Sequence, residues 1–259
     1  MESNKKRYFA SDFHLGLNSG GSSSEREKRV VAWLERIAPG AEEIYLLGDV
    51  FDFWWEYHNV VPKGFTRFLG AVSSITDSGI PVHFFKGNHD MWTTGYLRDE
   101  CGMTVHEGIV KTEFNNHSFL LAHGEGLGGK QISYNILLSI FRSSTGRKIY
   151  SALHPRIGVG IGHHWSLQSR LGKGMHAPFM GEKEHLVQYA REILEKESFD
   201  YFIFGHRHLP LNYPLNSKSR IVILGDWMKG ECFAEWDGSK LKLICDGQEL
   251  LDPTLTVIV

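Results

Sequence analysis

Residues 43–49, EIYLLGD, and 81–90, PVHFFKGNHD, decide the reading of this chain: each is a short apolar run that breaks off at glycine into carboxylate, amide or imidazole. An apolar run too short for a helix and ended by Gly predicts a strand buried on both faces. The same cadence occurs in RYFASDFH (7–14), HSFLLAH (117–123) and DYFIFGH (200–206). Five apolar strands are thus expected to carry their polar ends to one rim. Helices separate the first three. Residues 18–24, NSGGSSS, read as a loop; Ser24-x-x-Glu27 predicts a capping box, and Val30, Val31, Leu34, Ile37 and Ala38 recur with helical period until Pro39-Gly40. A second helix is predicted near 63–78, closed by Gly79 and Pro81. The order β-α-β-α-β predicts an α/β fold with a parallel sheet, in which ligands gather at the carboxyl ends of the strands.

A chain of 259 residues suits one large α/β domain with an insertion. Its 28 Lys+Arg against 30 Asp+Glu leave a net charge of -2, which gives no global attraction for nucleic acid, so an anionic ligand must be met locally. Cys101, Cys232 and Cys245 are far apart and form no C-x-x-C pair, which argues against a disulfide framework or a structural zinc and fits a cytoplasmic location. No membrane span or export signal is expected, because no run of about 18 apolar residues occurs. Residues 210–259 read as hairpins, with Asp237-Gly238 a two-residue turn.

The chemistry lies at the strand ends. Asp12-Phe13-His14 requires the chain to turn; Asp49 follows Gly48, where the backbone can approach closely, and its two oxygens can bridge cations. Asn88, His89 and Asp90 follow in one tight loop, and His123, His206 and His208 complete the set. Carboxylate, amide and imidazole without thiolate suit Mn, Fe or Zn, and seven ligands imply two ions. Two-metal sites stabilise both the attacking and the leaving oxygen of a displacement at phosphorus. Taken singly each piece has a plainer reading: Asp-x-His as a turn, Asn-His-Asp as the cap of a helix at 91–100. Five such elements, each closing an apolar strand, are hard to attribute to capping.

With these blocks, D-x-H, G-D-x-x-D, G-N-H-D, a lone His and G-H-x-H, spanning residues 12–208, the chain resembles the calcineurin-like metallophosphoesterase superfamily. The resemblance implies a β-sandwich of mixed sheets flanked by helices. It implies that Asp12, His14 and His208 hold one metal, that Asn88, His123 and His206 hold the other, and that Asp49 bridges. His89 would serve the transition state, oriented by Asp90. The strings FASDFHLG, YLLGDVFDFW, DSGIPVHFFKGNHDMW, FGHRHLP and ILGDWMKGE are most similar to a branch that cleaves the pyrophosphate of a nucleotide-linked glycolipid in lipid A biosynthesis, releasing UMP. Two positions depart from many members of that branch, which have Arg where His89 stands and Asp where Glu125 stands.

Residues 124–199, with ISYNILLSIF and GEKEHLVQYAREILEKE, read as an inserted helical cap on this single domain. In the branch it covers the site and houses acyl chains. Leu137 and Phe141 on an apolar face, with Arg142, Arg170 and Lys173 nearby, are candidate substrate contacts beside Asn88. The apolar face followed by Arg142, Arg147, Lys148 and Arg156 also suits peripheral contact with the cytoplasmic face of the inner membrane. The plain alternative is a core helix with a solvated basic end. Rival functions are another phosphodiesterase or phosphatase of the superfamily, and a scaffold that binds without catalysis.

Overall fold

The computed structural model describes residues 5–18, 21–128, 139, 143–171, 178–228 and 230–250, less the side chains of 163–165 and 167–171. In chain order the elements are β1 (Lys6–Ala10), α1 (Ser23–Ile37), β2 (Ala41–Leu46), α2 (Thr66–Asp77), β3 (Val82–Phe85), α3 (Tyr96–Asp99), β4 (Thr104–His106), β5 (Val110–Phe114) and β6 (His117–Ala122). There follow α4 (Ser144–Ser151), α5 (Pro155–Leu171), α6 (His185–Leu194), β7 (Tyr201–Phe204), β8 (Leu211–Pro214), β9 (Arg220–Ile223), β10 (Cys232–Trp236), β11 (Leu241–Cys245) and β12 (Gln248–Glu249).

The strands form two sheets. The larger has the order β12-β11-β10-β1-β2-β3-β4 and the smaller β5-β6-β7-β9-β8. The expected parallel core is present, since β1, β2, β3 and β4 pair in parallel. The five polar-ended strands do not share it: β6 and β7 pair in parallel in the other sheet. Strand periodicity explains the layers. Along β1, Tyr8 and Ala10 face a cluster with Val30, Trp33 and Leu34 of α1 and Phe68, Val72 and Ile75 of α2. Phe9, between them, faces the opposite way into a cluster with Phe119, Ile203, Val222 and Trp236, which joins the sheets. The far face of the smaller sheet packs Leu120, Phe202 and Ile221 on Leu186, Val187 and Ala190 of α6. Both sheets are therefore covered on both sides, which is why these strands read as unbroken apolar runs. Phe9 and Phe119, fully buried with rings 6.4 Å apart, each contribute ~1.5–3 kcal/mol to holding the sheets together.

Three sequence expectations are corrected. α1 begins at Ser23, and Glu27 does not close a capping box on it: its carboxylate accepts the N–H of Arg67 and of Phe68, so it caps α2 instead. The turn at Asp237-Gly238 spans 237–240, with the Asp237 carboxylate accepting the N–H of Ser239 and Lys240. Cys232 and Cys245, distant in sequence, face each other across β10 and β11 and are joined as a disulfide; hairpin register, invisible in cysteine spacing, brings them together.

Candidate metal centre

Every expected ligand lies just past the carboxyl end of a parallel strand: Asp12 and His14 after β1, Asp49 after β2, Asn88 after β3, His123 after β6, His206 and His208 after β7, with His89 beside Asn88. Two sheets thus contribute to one site. The chain turns sharply at each point, with positive φ at Asp12, His14, Asp49, His206 and His208. Non-glycine residues rarely take this conformation, and it costs of order 1–3 kcal/mol each, so the surrounding hydrogen bonds must enforce it. Gly48 and Gly87 permit the close approach. A Cβ on Gly48 would sit 2.6 Å from His123 Nδ1, and one on Gly87 would collide with Asp49 Oδ1.

Both central carboxylates are held by one oxygen and present the other. Asp12 Oδ2 accepts from Ser11 Oγ at 2.6 Å and from the His206 N–H at 3.0 Å. Its Oδ1 is buried without a hydrogen-bond partner and faces His208 Nε2 at 3.3 Å and His14 Nε2 at 3.7 Å. Asp49 Oδ1 accepts the His89 N–H at 2.9 Å, while Oδ2 faces His123 Nε2 at 3.3 Å, His14 Nε2 at 3.8 Å and His89 Nε2 at 3.9 Å. A single oxygen of Asp49 therefore serves both sides of the site.

The rings are held from behind. Nδ1 of His123 meets the Leu47 carbonyl oxygen at 2.7 Å, leaving Nε2 buried and without a hydrogen-bond partner. Nδ1 of His208 meets Asp226 Oδ2 at 3.0 Å, and Nδ1 of His89 donates to the Asp52 carbonyl oxygen at 2.9 Å. His206 Nδ1 and Asn88 Oδ1 face each other at 3.0 Å. The Leu47, Asp226 and Asp52 oxygens fix the tautomers of their rings and aim the other nitrogen, as around metal sites, whereas Asn88 and His206 are both expected ligands and simply adjoin.

Electrostatics follow from burial against close charge. Burial would raise Asp12 and Asp49, but His208 and His14 bring Asp12 down to about 2, and His123 and His89 hold Asp49 well below the carboxylate range. Burial would lower His123, yet Asp49 raises it well above an ordinary imidazole. His206 is driven well below, by burial and then by His123. Asp90, buried beside Asp49, rises to about 7. Two anionic carboxylates in a closed ring of imidazoles call for cations. Donors of Asp12, His14 and His208, and of Asp49, His123 and His206, lie within 4.8 Å of one another in each group, and His14, Asp49 and His89 form a third. Together with the unpartnered Asp12 Oδ1 and His123 Nε2, this donor set fits a pair of divalent ions.

The model of the calcineurin-like phosphoesterases matches residues 6–210, most of the chain and all seven of these residues. The chain belongs to that family. Among curated calcineurin-like relatives, a UDP-2,3-diacylglucosamine hydrolase of Porphyromonas gingivalis is 43% identical over 252 residues, covering 92% of this chain and 96% of the relative. Another of the same description from Vibrio vulnificus is 24% identical, covering 93% and 95%. A solved phosphoesterase from E. coli aligns with 15% identity and a TM-score of 0.47 over 95% of this chain and 97% of that one, a likeness too distant to carry more than itself.

For a calcineurin-like site, the sequence reading missed the residues that stand behind the candidate ligands. Asp226 is one; its string ILGD (223–226) repeats the cadence of LLGD (46–49), a signal that was available. Glu184 is another. Fully buried, it grips Arg207, between His206 and His208, at 2.8 and 3.1 Å, and meets His185 Nδ1 at 3.0 Å. The Asp90 carboxylate, expected to orient His89, accepts the N–H groups of Gly87, Asp49 and Phe51, tying the two central loops together, while the His89 ring is held at Nδ1 by the Asp52 carbonyl. Leu137, Phe141, Arg142 and Lys173 lie outside the described residues, as does the side chain of Arg170.

Proposed function

We propose that this chain hydrolyses the pyrophosphate of UDP-2,3-diacylglucosamine to UMP and 2,3-diacylglucosamine 1-phosphate, using two divalent ions, Mn2+ foremost. The observation that carries it is the ring of Asp12, His14, Asp49, Asn88, His123, His206 and His208, set in a chain 43% identical to a hydrolase of that substrate. Asp12, His14 and His208 would hold one ion, Asn88, His123 and His206 the other, with Asp49 Oδ2 between them. Two such ions neutralise phosphoryl charge and lower the pKa of water to supply a nucleophile at neutral pH.

The chain's own groups do the rest. His89 presents Nε2 toward the site because Nδ1–H is committed to the Asp52 carbonyl; as imidazolium, the form that carries a proton on both nitrogens, it would donate from Nε2 to a phosphoryl or leaving oxygen. Buried walls at Asp12, His14 and His123 keep bulk water from screening these charges. Burial of the apolar acyl chains falls to the 124–199 segment, which we read as a cap. One face of its α5 supports peripheral contact with the cytoplasmic side of the inner membrane: Ile157 and Ile161, with Ile149 of α4, are exposed alongside Arg147, Lys148 and Arg156. Among the described residues no helix is long and apolar enough to cross a membrane.

The test is an assay of the Mn-loaded protein against UDP-2,3-diacylglucosamine, UDP-glucosamine and a simple phosphodiester, with UMP or product release measured. Preference for the diacylated substrate is expected. Equal turnover of UDP-glucosamine would remove the lipid specificity, and preference for the simple diester would favour a general phosphodiesterase.

A further inference from the structure

Helix α5 lies directly on the segment that follows Asp49. A Cβ on Gly158 would run into the Tyr57 hydroxyl, and one on Gly162 into the ring of Phe53. One turn further on, Ser166 donates through Oγ to Asp52 Oδ2 at 2.9 Å. The three positions are four residues apart and so form one stripe of the helix. Nothing bulky intervenes along this stripe, and its contact ends at a carboxylate and a hydroxyl that are 2% and 1% exposed.

Asp52 touches the histidines on either side of the shared Asp49 oxygen. Its carbonyl oxygen accepts from His89 Nδ1 at 2.9 Å, and its Oδ1 lies 3.6 Å from His14 Nδ1. A hydroxyl that fixes one carboxylate oxygen sets where the other points, toward His14, and by anchoring the side chain it restrains the Asp52 backbone whose carbonyl holds His89. The geometry points to Ser166 as a positioning residue: through Asp52 it sets the orientation of His89 and His14, so that seating α5 and assembling the metal centre are one event. This inference rests on the catalytic reading above.

The test compares Ser166→Ala, Ser166→Thr, Asp52→Asn and the double variant Ser166→Ala/Asp52→Asn in the full Mn-loaded chain. Loss of an outer partner at such a site costs 10–100-fold, so Ser166→Ala is expected near the low end, lowering kcat ~10-fold. KM should stay within about two-fold, since the hydroxyl is assigned no substrate contact. Ser166→Thr, which keeps the hydroxyl, should restore most of the rate. Residues acting through one another are non-additive, so the double variant should be no slower than Asp52→Asn alone. A second readout needs no turnover: solvent exchange of the His89 Nδ1 proton, identified by its loss in His89→Ala, should quicken in Ser166→Ala. Multiplicative losses in the double variant, a change in KM alone, or unchanged exchange would each overturn the inference. Failure of the substrate assay with altered exchange would instead indict the proposed reaction and leave the coupling standing.

Discussion

Asp226 Oδ2 stands 3.0 Å from Nδ1 of His208, on the side of the ring away from Asp12. Burial is the largest single influence and would raise the Asp226 carboxyl, but the hydrogen bond and charge of His208 and the N–H of Met228 together bring it below the ordinary range, so it is anionic and polarises the ring from behind. Asp226→Asn keeps the shape and removes the charge. We expect Mn affinity at the Asp12, His14 and His208 cluster to fall ~10–100-fold with the fold intact. Calorimetric titration of the metal-free protein measures it, and unchanged affinity would show that His208 needs no such support.

His89 holds its Nε2 3.9 Å from Asp49 Oδ2, at the edge of the candidate centre. His89→Ala should lower kcat by roughly 10²–10⁴, the range for a positioned acid, with KM and bound metal little changed. His89→Arg should keep part of the rate, because guanidinium stabilises phosphoryl charge without giving up a proton near neutral pH. Near wild-type kcat in His89→Ala with both metals bound would reduce the ring to a packing role.

His83 Nδ1 and His106 Nε2 meet at 2.9 Å on neighbouring strands β3 and β4. Burial lowers both below an ordinary imidazole, and for His83 the charge on His106 adds to it. The unfolded chain therefore binds protons more readily than the folded one below about pH 6.5. The stability these rings contribute is whole above that pH and is lost as pH falls through their lowered folded values. Thermal melts taken downward from neutral pH should show this slope, and His106→Gln should flatten it. An unaltered slope in that variant would place the loss elsewhere.

Glu27→Ala should destabilise by ~0.5–2 kcal/mol, since it removes the cap of α2. Ser24→Ala, on an exposed site of α1, should change stability by no more than about 0.5 kcal/mol. Denaturant midpoints of the two variants decide between this arrangement and a capping box within α1, which would make both costly.

The candidate ligands were legible because buried strands leave a clear mark and because their ends carry residue types that have little business beside apolar runs. The sheet to which each strand belongs was not. Phe119 and Phe84 both sit in apolar runs, and only pairing, a long-range property, sends β6 to one sheet and β3 to the other. The supporting residues were harder still. Asp226 repeats a visible cadence, but Glu184 meets Arg207 across 23 positions and Ser166 meets Asp52 across 114, distances over which no periodicity reports.

The position of β10 bears on how the molecule is made. Arg7 pairs with Trp236, and β1, which delivers Asp12, has β10 as one of its two neighbours. A ribosome synthesising this chain releases all seven candidate ligands, through His208, before Cys232–Trp236 exists. During that interval β1 offers an unpaired edge, the feature by which nascent sheets aggregate or recruit chaperones. Contacts closed over so long a separation are also slow to form. The nascent protein thus holds every group of its centre before it holds the strand that fixes their frame, and its vulnerable period in the cell is set by the time between the synthesis of His208 and that of Trp236.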